Sequence, residues 1–128
     1  IEVKLIINSL KNSYSKGHDN CAVSTVKDCM DQLSAPLCKI FNKSMQDGVV
    51  PDDLKIAKII PVYKSDDKKT ISNYRPISVL PTFSKTLERL VYNRLLDFIN
   101  KHELLSDSQY ALDKKFQHQW HLLILLIK

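Results

Sequence analysis

The first fifty residues carry their hydrophobic side chains at the three- and four-residue steps typical of amphipathic helices. Within residues 1–13, one helical face is formed by Val3, Ile6, Ile7 and Leu10. After a polar stretch, a longer apolar face continues through Val26, Met30, Leu33, Leu37, Ile40, Phe41 and Met45. We therefore expect a helical lead-in across residues 1–50 whose stripes form part of a core.

A proline divides the longer of these apolar faces. Pro36 removes a backbone donor from a helix interior, whereas proline is well tolerated in a first turn. Ser34 precedes it and is a residue type that caps helix N-termini. The sequence therefore predicts two helices, over 23–33 and 35–47, with Gly48 as the stop signal of the second.

The middle of the chain changes to a composition typical of strands. The run from Ile56 to Lys64 is rich in isoleucine and valine, and Pro61 within it favours an edge strand or a bulge. A charged turn follows at residues 65–69, and the run from Tyr74 to Leu80 predicts a returning strand. We expect a β-hairpin over 55–81 with a long polar tip, and the sequence leaves its register open.

The clearest helical pattern follows Pro81, and it predicts a helix over 82–101 with Thr82 or Ser84 as its N-cap. The stripe of this helix is assigned to the core and consists of Phe83, Leu87, Leu90, Val91, Leu95, Phe98 and Ile99. A last helix is expected over about 114–127, with an apolar surface that needs a partner element. His118 and His121 in it lie one helical turn apart, but a third ligand is missing, so we expect no metal site.

Composition narrows the class of protein. Hydrophobic residues make up 44% and charged residues 26% of the 128, so the chain is not disordered by composition. The formal net charge of +5 fits a polyanionic partner, although charge alone does not identify nucleic acid. We expect no secretory signal and no membrane span. An intracellular, reducing compartment, nucleus or cytoplasm, is favoured by three cysteines without CxxC spacing, Cys21, Cys29 and Cys38.

Three ordered stretches carry a family resemblance. The first, Gly48–Lys64, ends in Pro-Val-Tyr-Lys; the second, Asn73–Pro81, reads NYRPISVLP; the third is the helix start Ser84–Arg89. They resemble the start of the reverse transcriptase domain, an RNA-directed DNA polymerase, of jockey-like, LINE-type non-LTR retrotransposons. Upstream, Ser15–Asn20 is similar to a decayed form of the family's Ser-Pro-Gly-Pro-Asp-Gly loop. The resemblance spans residues 10–112.

This resemblance implies a fold and a domain organisation. The fold class is α+β, mostly helical with a fingers β-hairpin, as an incomplete right-hand polymerase fold that lacks the palm catalytic strands. Residues 1–128 would form one partial reverse transcriptase domain. Its parts are a helical lead-in over 1–50, the fingers hairpin over 55–81, a helix over 82–101 and a degenerate tail over 102–128. In the tail, Ala111–Asp113 stands where the family has Gly-Phe-Arg.

The resemblance also implies binding roles, since in such polymerases the fingers hairpin lies over the incoming nucleotide and the template. Arg75, always charged and able to fork onto phosphate oxygens, and Lys64, a point-like cation, are candidates for the dNTP triphosphate. Lys58, Lys68 and Lys69 are candidates for contact with the phosphate backbone of the template. Tyr74 is a candidate for stacking on a template base. From the residues alone, the alternative is that these are solvated hairpin charges and a strand-shaping tyrosine.

The catalytic carboxylates are the main element missing from the pattern. Phosphoryl transfer needs two divalent metals held by palm aspartates, which the family carries downstream of every stretch matched here. Asp66 and Asp67 imitate the family's aromatic-x-Asp-Asp string, but two residues rather than one separate them from Tyr63. We therefore expect no catalytic residue, no metal and no cofactor in this chain, and no enzymatic activity of the chain alone. Magnesium belongs to the full-length family enzyme.

The expected partners follow from the same resemblance. They are an RNA template, a DNA primer and dNTP in the full-length family, the missing palm domain as a packing partner, and no membrane. Two other readings stay open: a domesticated nucleic-acid-binding module, and a translated relic without function.

Overall fold

The computed structural model of the protein describes residues 2–13 and 16–103. Their helices are α1 (Glu2–Ser9), α2 (Val23–Asp28), α3 (Met30–Asp47) and α4 (Thr82–Lys101), and the strands are β1 (Lys58–Tyr63) and β2 (Tyr74–Val79). Short 3-10 turns lie at Asp52–Leu54 and Ile71–Asn73. The combination of helices with a two-stranded antiparallel hairpin confirms the α+β class.

The chain divides into two compact units, Ile1–Leu87 and Glu88–Lys128. The first contains α1 to α3, the hairpin and the first turns of α4. The expected helix over about 114–127, with His118 and His121, lies outside the described residues. No helix in the described part of the chain is long and apolar enough to cross a membrane.

Three helices build the core of the first unit, because α1 packs against both α2 and α3, and α2 packs against α3. The buried apolar side chains of these helices are Val3, Ile6, Ile7, Val23, Val26, Met30, Leu37 and Phe41. Most of the expected stripe is thereby confirmed, but Ile40 is 45% exposed and its assignment to the buried face was wrong. Neighbouring helix positions are about 100° apart, so Phe41 at the centre of the stripe turns Ile40 towards solvent.

The break between α2 and α3 lies at Cys29 and not near Pro36, so the predicted inner boundary between 33 and 35 was wrong, whereas the predicted start at 23 and end at 47 are confirmed. Cys29 has φ −96° and ψ 13°, which redirects the chain between the two helices. Pro36 lies inside α3 and is exposed. Its missing N–H leaves the carbonyl of Gln32 without a helical partner, and because Gln32 is also exposed, water can bind that oxygen. Gly48 ends α3 at φ 67°, as expected from the stop signal.

Two lysines tie α1 to its neighbours. The Lys4 ammonium lies 2.6 Å from Asp31 Oδ1, and its hydrogen bond and charge hold the pKa of the Asp31 carboxyl below its ordinary value of 3.8. Lys27 Nζ donates to the carbonyl of Leu10, just after α1, at 2.7 Å, and to Asn12 Oδ1 at 2.9 Å. A cation at this end of α1 complements the helix dipole.

The hairpin has a continuous register in which Lys58 pairs with Val79, Pro61 with Pro76, and Tyr63 with Tyr74. Proline has no N–H, so the Pro61–Pro76 pair fits a position where both backbone nitrogens point away from the partner strand. Near the middle of each strand, the backbone position that would point an N–H away from the partner strand is therefore occupied by proline, which has no N–H to donate. The expectation of an edge strand for Pro61 is confirmed, and both edges are poor templates for a further strand.

The two faces of the hairpin differ in chemistry. Because directly paired residues share a face, the register divides the strands into two sets. The first, which we call the Arg75 face, consists of Lys58, Ile60, Val62, Arg75, Ile77 and Val79. The second, the tyrosine face, consists of Ile59, Pro61, Tyr63, Tyr74, Pro76 and Ser78. Most of these residues are exposed; Tyr74 is half-buried and Val79 is buried.

Thr82 is the first residue of helix α4, so it cannot be the N-cap, which precedes the first helical residue. The carbonyl of Pro81 accepts from the N–H of Lys85 at 3.0 Å, which puts Pro81 in the N-cap position. Thr82 and Ser84 lie buried inside the first turn, so both expected caps were wrong. Thr86, which is fully buried, donates its hydroxyl to the carbonyl of Thr82 at 2.7 Å.

The apolar stripe of α4 is confirmed at Leu87 and Leu90, which are 2% exposed. It was wrong at Phe98, which is 54% exposed. The ring of Phe98 packs instead on that of His102, one turn later on the helix surface, with 4.5 Å between ring centroids.

A close backbone approach joins the segment after α1 to the start of α4. Gly17 is buried, and a Cβ added there would lie 2.8 Å from both the nitrogen and the Cα of Pro81. The turn around it is held by a hydrogen bond from the Asn20 N–H to the Gly17 carbonyl, at 3.3 Å, and by Asp19 Oδ1, which accepts from the Cys21 N–H at 3.1 Å. Only glycine lets the two backbones come this close.

Candidate nucleic-acid interface

The tip of the hairpin, residues 64–73, is held by side chains from its two ends. Tyr63 donates its hydroxyl to the carbonyl of Asp66 at 2.5 Å, and Tyr74 donates to the carbonyl of Lys68 at 2.8 Å. Between them, the amide of Asn73 donates to the carbonyl of Asp67 at 2.9 Å. Three successive carbonyl oxygens are thus bound by three side chains that flank the loop. We call Tyr63, Asn73 and Tyr74 the tip clamp.

Backbone bonds complete this conformation. The N–H of Lys64 donates to the carbonyl of Asn73 at 2.8 Å, which extends the strand ladder by one pair. The N–H of Thr70 donates to the carbonyl of Asp67 at 3.2 Å. Asp66 has φ 70°, a left-handed conformation that aspartate tolerates better than most residues. The long polar tip expected from the sequence therefore has one defined path.

The two acids of the tip are engaged locally. Asp66 Oδ2 accepts from the Ser65 hydroxyl at 3.0 Å, and Asp67 Oδ1 accepts from the N–H of Lys69 at 3.0 Å. In the described part of the chain, no group of three or more His, Cys, Asp or Glu side chains is placed to hold a metal ion. Without a third such side chain beside it in the described residues, this acid pair does not fit the magnesium site of a polymerase.

On the tyrosine face, two aromatic rings contact each other and the Lys68 ammonium lies over one of them. The rings of Tyr63 and Tyr74 meet edge to face, with 5.7 Å between centroids and 62° between planes. The Lys68 ammonium lies 5.5 Å from the centroid of Tyr63, within cation–π range. Lys68 and Tyr74 thus have structural contacts inside the hairpin, while Lys69 is exposed in the tip. Their contact with a template stays a prediction.

Lys64 and Arg75 come together on one exposed side. Arg75 pairs with Val62 on the Arg75 face, and Lys64, two residues after Val62, continues that face. Lys64 pairs with Asn73, so Arg75 is its diagonal neighbour across the strands, at a typical separation of about 7–8 Å. Among the residues that the structure describes, neither side chain forms an ion pair, and both are exposed. Two unpaired cations can therefore approach one anionic group.

Lys58 lies on the same face but at its far end. Lys64 lies six residues further along the chain, which corresponds to about 20 Å of extended backbone. The two lysines are therefore too far apart to bind the same phosphate group, whereas a polynucleotide backbone lying along the face can contact both. Of the predicted site residues on the Arg75 face, Lys64 and Arg75 therefore form a pair at the tip end, and Lys58 lies alone at the other end.

The hairpin concentrates the positive charge of the protein. Residues 58–79 contain five cationic and two acidic side chains, against a net charge of +5 for all 128 residues. Polyanions are attracted by such local excess charge, and the attraction weakens with salt. The total charge did not show which part of the chain would meet a polyanion. The local excess of cations indicates that the hairpin is the better candidate.

Sequence reasoning missed two of the residues that shape this region, Tyr63 and Asn73. A signal was present: Tyr63 was the last residue but one of the first predicted strand, Tyr74 was the first residue of the second, and Asn73 preceded it. The register was needed to see that both rings share a face, because a shift by one residue would place them on opposite faces.

Comparison with known proteins connects the chain to mobile elements. It is 38% identical over 96 residues to the RNA-directed DNA polymerase from mobile element jockey of Drosophila melanogaster, a match that covers 74% of this chain and 10% of that protein. It is 33% identical over 111 residues to the probable RNA-directed DNA polymerase from transposon BS of the same species, covering 86% and 12%. The jockey polymerase of Drosophila funebris is 35% identical over 96 residues, covering 74% and 10%.

The chain therefore spans about a tenth of the length of the curated relatives that it matches. No family model matches it.

Proposed function

Because this chain is homologous to a segment of the RNA-directed DNA polymerases of jockey-like, LINE-type non-LTR retrotransposons, we propose that it forms the fingers region of such a polymerase. In this proposal the Arg75 face receives the triphosphate of the incoming dNTP at its tip end. The observation that carries it is the exposed, unpaired pair of cations, Lys64 and Arg75, on one face of a hairpin with a defined tip.

The chemistry of a triphosphate fits this pair. Several negative charges lie close together on it, and each needs a cation or a donor. The Arg75 guanidinium offers two parallel N–H groups to phosphate oxygens, and the Lys64 ammonium adds a compact charge from the opposite strand. Since neither cation is engaged by a carboxylate in the described residues, no ion pair has to be broken when a phosphate binds.

Template binding is proposed for the remaining cations of the hairpin. Lys58 at the far end of the Arg75 face and Lys69 in the tip are exposed and suit a phosphodiester backbone. Lys68 and Tyr74 can contribute only with the parts of their side chains that the hairpin leaves open. The apolar residues between the cations, Ile60 and Ile77, are 36% and 47% exposed, and we propose that the palm of the complete polymerase packs near them.

Calorimetric titration of the full chain with dGTP tests the triphosphate site. Arg75→Gln and Lys64→Gln should each weaken binding by about fivefold to tenfold, the loss expected for one charged hydrogen-bonding partner at an exposed site. The matched control is Lys39→Gln, which removes an exposed lysine from α3 and should leave the affinity unchanged. Equal affinities for all four proteins, or an equal loss in the control, would contradict a localised site.

We further predict that the chain alone does not extend a primer. No carboxylate cluster for magnesium exists in the described residues, and a fingers region supplies binding rather than the metal-held reaction centre. The measurement is incorporation of labelled dNTP on an RNA template with a DNA primer and magnesium. Incorporation that copurifies with the chain through several columns would refute the prediction.

The alternative function is that of a domesticated nucleic-acid-binding module, which would use the same hairpin. It predicts tight RNA binding by the chain alone that falls steeply with salt and drops in Arg75→Ala. The fingers proposal predicts a measurable site for a single nucleotide, so dGTP binding separates the two.

A further inference from the structure

The tip of the hairpin holds two acids that are able to compete for its cations. Asp66 and Asp67 follow Lys64 by two and three residues, and without the bonds that hold the tip, an exposed loop of ten residues would be free to fold either acid back onto the Arg75 face. An ion pair with Lys64 or Arg75 would occupy the groups to which the proposed function assigns the triphosphate. In the described residues no such ion pair exists.

The tip clamp accounts for this separation. Its three donors bind the backbone carbonyls of Asp66, Asp67 and Lys68, two of which belong to the competing acids themselves. The tyrosine rings lie on the tyrosine face, so their hydroxyl bonds draw the tip towards that side. The Lys68 ammonium over the Tyr63 ring has the same effect. Lys64 and Arg75 remain on the opposite side.

We propose that the tip clamp is a set of positioning residues that prevents autoinhibition: Tyr63 and Tyr74 hold the acidic tip towards the tyrosine face and Asn73 ties down the Asp67 carbonyl, which keeps Lys64 and Arg75 available for an anionic ligand. The inference rests on the proposed triphosphate site, because it explains how that site stays open before the ligand arrives. It assigns Tyr74 a role through its hydroxyl group, apart from any stacking on a template base.

The test combines the double variant Tyr63→Phe/Tyr74→Phe with Asp66→Asn/Asp67→Asn. Phenylalanine keeps the aromatic contact and removes only the two donors. Asparagine keeps an acceptor for Ser65 and Lys69, tolerates the left-handed conformation at position 66, and removes the competing charges. Affinity for dGTP is measured by calorimetry for the parent chain, each double variant and the quadruple variant. Ser72→Ala is the control, because in the described residues it removes an exposed tip hydroxyl that bonds neither the clamp nor the two acids.

The clamp variant should bind dGTP about twofold to fivefold more weakly, the effect of one exposed ion pair formed by the competing acids. Asparagine at 66 and 67 should restore the affinity that the clamp variant has lost. These substitutions should improve the affinity of the clamp variant more than that of the parent chain. An equal improvement in both backgrounds would overturn the proposal, because the acids would then act only through distant charge. So would a clamp variant that binds as tightly as the parent.

Hydrogen exchange at the Thr70 amide gives an independent measure of the tip. This amide donates to the carbonyl of Asp67, so loss of the clamp should speed its exchange about tenfold while the amides of α3 are unaffected. Unchanged exchange would show that the clamp does not hold the tip, and would overturn this inference even if Arg75→Gln still weakened triphosphate binding. Conversely, failure of Arg75→Gln to weaken binding removes the proposed function and leaves the exchange result standing.

Discussion

Alanine at position 17 is expected to lower the free energy of unfolding of the first unit by about 3 kcal/mol. The added Cβ would lie 2.8 Å from two backbone atoms of Pro81 and 3.1 Å from Asp19 Oδ1. Backbone atoms cannot yield as a flexible side chain can, so the segment around Gly17 must separate from the start of α4. Overpacking costs about 1–3 kcal/mol, and a clash with backbone belongs at the upper end of that range.

The chain contains a second glycine that serves as the control. Gly48 has φ 67°, and a Cβ added there meets nothing within 4 Å. Gly48→Ala should therefore cost only the left-handed backbone strain, about 1 kcal/mol. Urea denaturation followed by far-ultraviolet circular dichroism measures both. A Gly17→Ala variant as stable as the parent chain, or more stable than Gly48→Ala, would show that the two backbones are not in contact.

The second large effect is expected from Phe41→Ala. Phe41 is 1% exposed and is the largest of the fully buried side chains in the described residues. Removing a buried phenylalanine costs about 3–5 kcal/mol, through lost apolar contact and the cavity that remains. Since small domains are stable by only about 5–15 kcal/mol, the variant should lose a substantial part of its free energy of unfolding.

The residue next to it gives a matched comparison. Ile40 lies on the same helix and is 45% exposed, so Ile40→Ala should change the free energy of unfolding by less than about 1 kcal/mol. Both variants are compared by urea denaturation. Equal losses at the two positions would mean that α3 is rotated relative to the arrangement described here.

Hydrophobic spacing predicted the helices better than their boundaries. The stripe located Leu37 and Phe41 in the core, because a three- or four-residue step brings side chains to one side. It also included Ile40 and Phe98, which lie at stripe margins where tertiary packing decides burial. The boundary was placed at Pro36 from local propensity, whereas an exposed proline is tolerated inside α3 and the chain turns at Cys29 instead.

The hairpin shows what local sequence can and cannot define. Composition predicted both strands and the tip, but only pairing established that Pro61 faces Pro76 and that Tyr63 and Tyr74 share a face. The bonds of the tip clamp depend on that pairing, so Tyr63 and Asn73 could not be selected beforehand. Arg75 and Lys64 were selected by resemblance, and the structure places them as diagonal neighbours on an open face.

Gly17 has a structural role that its local sequence does not reveal. Pro81, the last residue of the NYRPISVLP string, packs against Gly17 within the Ser15–Asn20 stretch. Two stretches that resemble the polymerases, separated by more than fifty residues of sequence, therefore meet in space. Close backbone packing therefore explains the need for glycine at this position, independently of any ligand.

The central claim is that a triphosphate binds the tip end of the Arg75 face, and nuclear magnetic resonance of the 15N-labelled chain during titration with dGTP tests it most directly. The account predicts saturable shifts in the side-chain Nε–H signal of Arg75 and in the amide signals of Val62 and Lys64. Signals of Ile59 and Ser78, on the opposite face and near the far end of the hairpin, should stay in place. Shifts confined to the helices, or the absence of any saturable shift, would contradict it.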